Sequence, residues 1–367
     1  MKIGIIGTRG IPNYHGGFEQ FAEFFSVFLN KKGHDVYVYS SHNHPYQEEE
    51  FDGVKLIHCN DPENKVGTVG QFVYDFNCIR DSRKRGFDIL LQLGYTSNSI
   101  WHRWLPKKTI IITNMDGLEW KRTKYSKKVR RFLKYAESLA VKSSDYLIAD
   151  SPGIQNYLKD KYQVESTFIA YGSFQFENEN VEVLSEYKVE PYEYHILIAR
   201  MEPENNIETI LDGVLQAESQ IPFLVVGKHD TNKFGAYLKD KYKNHENIRF
   251  LGGIYNQEHL NNLRYFSKVY FHGHTVGGTN PSLLEAMASH SLIVAHDNQF
   301  NKYILNEDAF YFSDAAGVAS VLKKIKSKQD YQQFVAGNIE KIKNLYSWDI
   351  INNLYLELME QTYEKGK

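Results

Sequence analysis

The sequence has few cysteines and no long apolar run. Its 367 residues include two cysteines, Cys59 and Cys78, whose spacing matches no metal site. Such sparse cysteine use fits a reducing compartment, and Met1 leads directly into an apolar strand without a signal peptide. No apolar run approaches the roughly 18 residues of a membrane-spanning helix. We therefore expect a cytoplasmic protein, soluble or attached peripherally to the inner face of the cell membrane.

The sequence also lacks a large excess of positive or negative charge and lacks recognisable metal-binding motifs. The formal net charge is −2, which gives no global electrostatic case for nucleic-acid binding. The chain contains no D-x-D motif, which gives no case for a metal site, and we expect no metal and no cofactor. The spacing of Gly4, Gly7 and Gly10 lacks the G-x-G turn of a dinucleotide fingerprint, which disfavours nicotinamide binding.

Short apolar runs alternate with helical patterns along the chain, which is typical of buried parallel strands joined by helices. Ten such runs read as strands: Lys2–Gly7, Asp35–Ser40, Asp88–Leu93, Thr109–Asn114, Asp145–Asp150, His195–Ala199, Pro222–Gly227, Asn247–Leu251, Lys268–His272 and Ser291–His296. The polar, weakly periodic segment Glu177–Tyr194 interrupts this rhythm and is interpreted as a linker.

The chain is too long for most single cores. The sequence therefore predicts an α/β protein of two doubly wound Rossmann-like domains, residues 1–175 and 190–345, facing a cleft. A last helix over about 348–364 is expected to pack back on the first domain. Ligands in such sheets bind beyond the carboxyl ends of the strands, which would place the ligand in the cleft.

The most informative segment is a glycine turn followed by a helix start. Gly277, Gly278 and Thr279 precede Asn280, a good N-cap, and a proline occupies the first helical position. Free N–H groups and the positive dipole end at such a start suit a phosphate or diphosphate, and Glu285 could accept hydrogen bonds from hydroxyls. Phosphate plus polyol indicates a nucleotide sugar, although most glycine-rich helix starts bind nothing.

Other strand-end residues fit the same ligand. Gly16 and Gly17 precede the first helix and would let the backbone approach a ligand, or they form a flexible turn. Arg200 follows a strand and could neutralise a diphosphate bidentately, the alternative being a surface salt bridge. Lys228 occupies an equivalent strand-end position and is a second candidate cation.

These pieces together resemble glycosyltransferase family 4, the retaining sugar-nucleotide transferases of GT-B fold, over nearly the whole chain. The resemblance is carried by ARMEPENNI, VVGKHD, FLGGIYNQEHL and, above all, LLEAMA. Within the family, TRGIPNYHGGFE, NMDGLEWKRTKYS and GGTNPSLLEAM resemble the bacterial rhamnosyltransferase-like group.

The resemblance implies a retaining, metal-independent glycosyltransferase with its donor on the C-terminal domain and its acceptor on the N-terminal one. The implied donor is dTDP-rhamnose, and the implied acceptor is a lipid-linked saccharide in cell-surface polysaccharide synthesis. Asn205, Gly253 and Ile254 join the donor-binding residues on this basis. Two positions depart from the family: Gly277 replaces the first of two glutamates, and Asn205 replaces a lysine. We interpret both as a change of donor sugar, not as loss of activity.

The mechanism that the resemblance implies needs charge stabilisation on the leaving diphosphate. Arg200, the amides at Gly278–Asn280 and Lys228 would supply it without metal. With no obvious enzymic nucleophile, we expect front-face attack through an oxocarbenium-like state. Asp116, in NMDGLEW, would stabilise the positive sugar or orient the acceptor hydroxyl, the alternative being a turn cap before Gly117. Asp116 and Arg200 are thus the candidate catalytic residues.

A basic, tryptophan-containing stretch predicts a partner surface. Residues 120–134 read WKRTKYSKKVRRFLK, with eight basic residues and no acid, and WHRWLPKK lies upstream. On an acceptor-binding domain this pattern predicts docking on an anionic membrane. The alternatives are a solvated charged helix and, with no other support, a nucleic-acid surface. The candidate patch is Trp101, Trp104, Trp120, Lys121, Arg122, Lys127, Lys128, Arg130 and Arg131.

Two other functions remain open from the sequence. A non-catalytic nucleotide-sugar-binding subunit would bind donor without turnover. The departures from the family pattern at Asn205 and Gly277 are consistent with this function. A nucleotide-sugar epimerase of GT-B-like fold would need paired carboxylates or histidines near the anomeric centre, and the sequence offers no convincing set.

Overall fold

A computed structural model describes residues 1–115, 117–122 and 125–366. It divides the chain into two compact units. The first unit comprises Met1–Lys121, Tyr125–Tyr171 and Trp348–Lys367, and the second comprises Arg122–Lys124 and Gly172–Ser347.

The first unit is built on an eight-stranded sheet of order β3-β4-β2-β1-β5-β6-β7-β8. All neighbouring strands are parallel except β3, which is antiparallel to β4. The strands are β1 Lys2–Ile6, β2 Asp35–Ser41, β3 Glu50–Phe51, β4 Val54–Cys59, β5 Ile89–Leu93, β6 Ile110–Asn114, β7 Tyr146–Ala149 and β8 Thr167–Phe168. The central strands are buried on both faces, which explains their continuous apolar sequence.

Helices connect and cover these strands. They are α1 Gly17–Lys31, α2 Glu63–Val66, α3 Val69–Ser82, α4 Lys127–Ser143 and α5 Pro152–Tyr162. In α1, Phe21, Phe25 and Leu29 recur at helical spacing and are buried against the sheet. Ser126 caps α4 by accepting a hydrogen bond from the Val129 N–H, so residues 127–134 of the basic stretch form the start of a regular helix.

The second unit contains a six-stranded, all-parallel sheet of order β11-β10-β9-β12-β13-β14. Its strands are β9 His195–Ile198, β10 Phe223–Val226, β11 Ile248–Gly252, β12 Val269–His272, β13 Ile293–His296 and β14 Phe310–Phe312. Its helices are α6 Leu184–Tyr187, α7 Ile207–Gln216, α8 Lys233–Tyr242, α9 Gln257–Tyr265, α10 Pro281–Ala288, α11 Gln299–Leu305, α12 Ala315–Lys324 and α13 Gln332–Lys341. Its core contains Phe223 and Phe271, whose ring centroids lie 5.4 Å apart.

The last helix, α14 Trp348–Lys365, belongs to the first unit. Trp348 and Tyr355 are buried on it, and the ring of Tyr355 lies 4.6 Å from that of Phe21 on α1. The Tyr355 hydroxyl also accepts a 2.7 Å hydrogen bond from the Asn114 amide at the end of β6. Helix α14 therefore belongs to the first unit although it follows the second unit in the sequence.

The segment Glu177–Tyr194 corrects the interpretation as a linker. Leu184 and Tyr194 are buried, and the Asn180 amide donates a 2.6 Å hydrogen bond to the Asn262 side chain on α9. The segment is part of the second unit. Val183, Leu184, Val189 and Tyr194 are buried whereas Val181 is 50% exposed, a pattern too irregular to read as a periodicity.

The fold class is confirmed: both units are doubly wound, Rossmann-like α/β sheets. Each of the ten predicted strands coincides with an observed strand to within two residues at either end. No helix in the described ranges is both long enough and apolar enough to cross a membrane.

Candidate functional site

The predicted donor residues of the second unit meet at the carboxyl edge of its sheet. Arg200 follows β9, Lys228 follows β10, Gly253 follows β11 and the glycine turn follows β12. Strands β9 and β12 are neighbours, with Leu197 paired to Phe271, so the loops after them emerge side by side. Parallel strands thus collect residues that are distant in the sequence.

The loop that carries Arg200 is hydrogen-bonded to the loop after β12. The Asn206 amide donates a 2.7 Å hydrogen bond to the Gly273 carbonyl, and both the N–H and the hydroxyl of Thr275 donate to the Glu204 carbonyl. A Cβ atom at Gly273 would lie 1.9 Å from the carbonyl oxygen of Asn205. Glycine is therefore required there for the two backbones to approach.

Arg200 and Asn205 have different environments within that loop. Arg200 is exposed and forms no ion pair with any described residue, which removes the salt-bridge alternative within that part of the chain. Asn205 is 2% exposed, and its amide nitrogen donates a 2.7 Å hydrogen bond to the Arg200 carbonyl. The burial of Asn205 corrects the expectation that it contacts the donor directly. Its side chain instead hydrogen-bonds the backbone of the Arg200 loop.

The helix start after β12 has the predicted geometry. Helix α10 begins at Pro281, and the Asn280 side chain accepts a 2.9 Å hydrogen bond from the Ser282 N–H. Gly277 has φ +135°, a conformation that favours glycine, and a Cβ atom there would meet nothing within 4 Å. The N–H groups of Gly277 and Gly278 donate to no described acceptor, whereas Thr279 is buried and has its own partner. The turn thus presents donors beside open space.

Glu285, one turn into α10, is held by a buried arginine that sequence reasoning missed. The Arg264 guanidinium on α9 is 1% exposed and donates a 2.5 Å hydrogen bond to the Glu285 carboxylate, whose side chain is 23% exposed. A second guanidinium nitrogen donates to the Asn261 side chain at 3.1 Å. The contact with Arg264 fixes the position of Glu285 while its side chain stays partly exposed.

Two histidines at the end of β12 were also missed. His272 and His274 stack with ring centroids 4.6 Å apart and planes 14° apart. Burial, together with the positive charges of Arg200 and Arg122, lowers the pKa of His274 to about 3. Burial lowers the pKa of His272 far below its ordinary value. Both imidazoles are therefore neutral at physiological pH.

Lys228 and Gly253 lie together at the next strand ends. The Lys228 ammonium is exposed and sits 5.2 Å from the ring centroid of Tyr255, whose hydroxyl raises the pKa of Lys228 by hydrogen bonding. Gly253 is exposed beside them, and Ile254 is half-buried. This arrangement places an exposed cation at the same sheet edge as Arg200.

The first unit contains a cavity of about 510 Å³ at the carboxyl ends of β1 and β5. Phe18, Phe72, Tyr95 and Phe132 contribute rings to its wall, and Asp75 contributes a buried carboxyl group. Burial raises the pKa of Asp75 to about 7, although the Ser97 hydroxyl donates to it and opposes the shift. The cavity therefore combines aromatic faces with polar groups, a lining that suits a sugar or another partly apolar ligand.

Gly16 and Gly17 stand at the predicted helix start near this cavity. Gly16 caps α1 and Gly17 is its first residue, and both are exposed. The N–H of Gly16 donates a 3.1 Å hydrogen bond to the Asn13 side chain. Glu19, in the first turn of α1, lines the cavity and accepts a 2.9 Å hydrogen bond from the Arg9 N–H.

Only some residues of the predicted basic patch are exposed. Lys121, Lys127, Lys128 and Arg131 are exposed, Arg130 is half-buried, Arg122 groups with the second unit, and Trp104 is 46% exposed.

Two of the three tryptophans correct the prediction of a membrane-facing surface. The Trp101 indole donates to the Phe72 carbonyl at 2.8 Å, and the Trp120 indole donates to the buried Glu137 carboxylate at 3.0 Å. Both turn inward because each finds a hydrogen-bond acceptor inside the first unit. Trp104 is left as the exposed aromatic residue of the predicted patch.

Asp116 lies outside the described residues, so its predicted role stays a prediction. Among the residues that are described, no group of three or more His, Cys, Asp or Glu side chains is arranged to hold a metal ion. The expectation of metal-independent chemistry likewise stays a prediction.

Comparisons with known proteins agree with the architecture. Residues 1–174 match a domain of unknown function, DUF1972, and residues 185–340 match the family described as glycosyl transferases group 1. No curated protein matches the chain.

Solved structures resemble the whole chain at low identity. Sucrose-phosphate synthase from Thermosynechococcus elongatus has a TM-score of 0.77 at 16% identity, covering 99% of each chain. A glycosyltransferase from Rickettsia africae has a TM-score of 0.74 at 15% identity, covering 98% of this chain and 97% of that one. Anabaena HepE, in complex with UDP and glucose, has a TM-score of 0.77 at 13% identity, covering 98% of this chain and all of that one. These likenesses establish the GT-B glycosyltransferase fold.

Proposed function

We propose that this chain, which carries a glycosyl transferases group 1 domain over residues 185–340, is a retaining glycosyltransferase that uses a nucleotide diphospho-sugar. The donor we propose is dTDP-L-rhamnose, and the acceptor is a lipid-linked saccharide of a cell-surface polysaccharide. The observation that carries the proposal is the meeting of Arg200, Lys228 and the open Gly277–Gly278 turn at one sheet edge of that domain. Anabaena HepE, of the same fold, is described in complex with UDP-glucose, which supports a nucleotide sugar as donor.

Stabilisation of the leaving diphosphate would come from fixed donors. Arg200 offers a planar pair of N–H groups, and the turn before α10 offers backbone N–H groups at the positive end of a helix. Because the Arg200 loop is fastened by Asn205 and Asn206, these donors need little rearrangement when charge develops on the phosphate. We propose that they act without a metal ion.

Glu285 would bind the ribose hydroxyls of the nucleotide. Its side chain is 23% exposed and its carboxylate can accept hydrogen bonds, and its contact with Arg264 fixes the direction in which it does so.

The acceptor would bind in the first unit, with its sugar in the cavity beside Asp75. The exposed cations Lys127, Lys128 and Arg131 of α4, with Trp104, support an anionic membrane surface near that cavity, because α4 also contributes Phe132 to the cavity wall. We propose that the enzyme works at the inner face of the cell membrane on this basis.

Transfer with retention would follow front-face attack, with the leaving phosphate taking the acceptor proton. Asp116 would stabilise the oxocarbenium-like sugar or orient the acceptor hydroxyl. In the sequence Asp116 stands two positions after the end of β6.

The proposal is tested by calorimetric binding of a panel of nucleotide diphosphates and nucleotide sugars without metal. Selective binding of dTDP and dTDP-rhamnose is the expected result. Preference for a UDP or GDP donor would retain sugar transfer and change the sugar, whereas no nucleotide binding would refute the proposal. Donor binding without turnover on any lipid-linked acceptor would favour the non-catalytic subunit, and interconversion of free nucleotide sugars would favour the epimerase.

A further inference from the structure

The stacked pair His272 and His274 has hydrogen-bonding capacity that the protein itself does not use. His272 is 1% exposed, and neither of its ring nitrogens has a partner. The Nδ1 of His274 is also buried without a partner. Buried polar groups without partners are rare and costly, so two adjacent ones at the carboxyl edge of a sheet indicate a ligand-binding position.

The backbone of His274 is clamped from two sides. Its carbonyl accepts hydrogen bonds from the side chains of Asn298 at 2.9 Å and Asn301 at 3.2 Å, both from the segment after β13. The next residue, Thr275, is tied to the Glu204 carbonyl of the Arg200 loop. The flat stack on His272 then fixes the plane of the ring. Such support from three directions is typical of a side chain whose orientation matters.

The loop between β12 and α10 offers few other groups to a ligand. Its residues 273–280 read GHTVGGTN, and of the polar residues beside His274 and Thr275, Thr279 is buried and the Asn280 side chain caps α10. The Thr275 hydroxyl already donates to the Glu204 carbonyl at 2.9 Å. Gly277 contributes open space in place of a side chain.

We propose that His274 is a specificity-determining residue that hydrogen-bonds a hydroxyl group of the donor's sugar ring, which would occupy the space beside Gly277. This inference rests on the proposed function and deepens it, because it assigns sugar selection to this loop. Diphosphate binding belongs to Arg200 and the backbone amides.

The chemistry of a neutral imidazole favours a hydroxyl over a phosphate. A neutral ring carries one N–H donor and one acceptor nitrogen, and a hydroxyl group both donates and accepts. A phosphate group only accepts hydrogen bonds, so a protonated ring with two N–H donors would bind it better than a neutral ring. The positive charges of Arg200 and Arg122 oppose protonation of His274, in agreement with its lowered pKa.

The test compares His274→Phe with the wild type in calorimetric binding of dTDP, UDP and the corresponding nucleotide sugars. Phenylalanine keeps an aromatic ring on His272 and removes both nitrogens. We expect the affinity for bare nucleotide diphosphates to change less than about twofold, and the affinity for the preferred nucleotide sugar to fall about tenfold. His274→Gln, which keeps a donor and an acceptor, should restore part of the loss.

His245→Phe is the matched control. His245 precedes β11 at the amino edge of the same sheet, so its replacement should change neither affinity. Thermal unfolding of each variant identifies any that is misfolded. If His274→Phe is misfolded, the affinities of His274→Gln are compared with those of the wild type instead.

The outcomes separate this inference from the function on which it rests. Equal losses for diphosphates and sugars, or no loss for either, would overturn the role of His274 and leave the proposed transferase intact. A wild type that binds no nucleotide would overturn both.

Discussion

The ion pair between Arg264 and Glu285 makes a quantitative prediction about stability. Glu285→Gln keeps the shape and an acceptor oxygen but removes the charge that compensates a guanidinium only 1% exposed. Removal of one partner of a buried pair costs about 3–5 kcal/mol. The lower figure applies here, because the Glu285 side chain is 23% exposed and solvent already screens it. We therefore expect a loss of about 3 kcal/mol in the free energy of unfolding.

A second substitution tests the cause of that loss. In Arg264→Met/Glu285→Gln no buried charge remains, and methionine replaces much of the apolar stem of the arginine. The double variant should therefore be more stable than Glu285→Gln alone. The loss of stability in the double variant minus the sum of the two single losses, which is the coupling energy, should then be negative.

Scanning calorimetry of the wild type, both single variants and the double variant measures this cycle. For a domain of the size of the second unit, a loss of about 3 kcal/mol lowers the Tm by roughly 6–12 °C. Asn261→Ala removes a neutral partner of Arg264 and serves as a control, with an expected loss of about 1 kcal/mol. A Glu285→Gln variant as stable as the wild type, or a double variant that loses the full sum of the single losses, would refute the reasoning.

Four further outcomes follow from the site and the patch. Arg200→Ala should weaken dTDP binding by about 10–100-fold in calorimetry, and Arg200→Lys should recover little of it because the bidentate geometry is lost. Asp116→Ala should abolish sugar transfer in a product assay while nucleotide affinity is kept, and lost affinity would instead indicate a structural role. The pKa of Asp75 is raised by burial to about 7, so ionisation is penalised in the fold and stability falls as pH rises from about 4 to 7. Asp75→Asn should remove that fall, at most about 4 kcal/mol, in urea unfolding at both ends of the window. Replacing Lys128 and Arg131 by alanine should weaken sedimentation with anionic vesicles by about 2 kcal/mol, roughly 30-fold, and salt-insensitive sedimentation would contradict the electrostatic account.

Most of the fold could be predicted because its parallel strands are buried on both faces and read as continuous apolar runs. The strands that were missed lack that pattern. β3 and β8 have two residues each, β14 has three, and β4 mixes Lys55 and His58 with its apolar residues near the sheet edge. Their structure depends on a neighbouring strand and not on their own periodicity.

The candidate site could be predicted where it depends on strand ends and could not where it depends on packing. Arg200 and Lys228 directly follow apolar runs, so the sequence alone predicts that they lie at strand ends. Arg264 lies in the polar helix sequence QEHLNNLRY, and only the packing of α9 near α10 buries it. Trp120 similarly turns inward because Glu137, 17 residues later, provides a buried acceptor. Such partners are fixed by tertiary structure alone.

The return of α14 to the first unit has a consequence for how the chain is made. Synthesis proceeds from the amino end, and domains generally fold as units while the chain emerges. Here Tyr355 and Trp348 supply buried surface to α1, which is synthesised more than 300 residues earlier. The side of Phe21 and Phe25 that contacts Tyr355 therefore stays uncovered until α14 has left the ribosome. That aromatic surface of α1 is thus uncovered for as long as synthesis of the second unit takes.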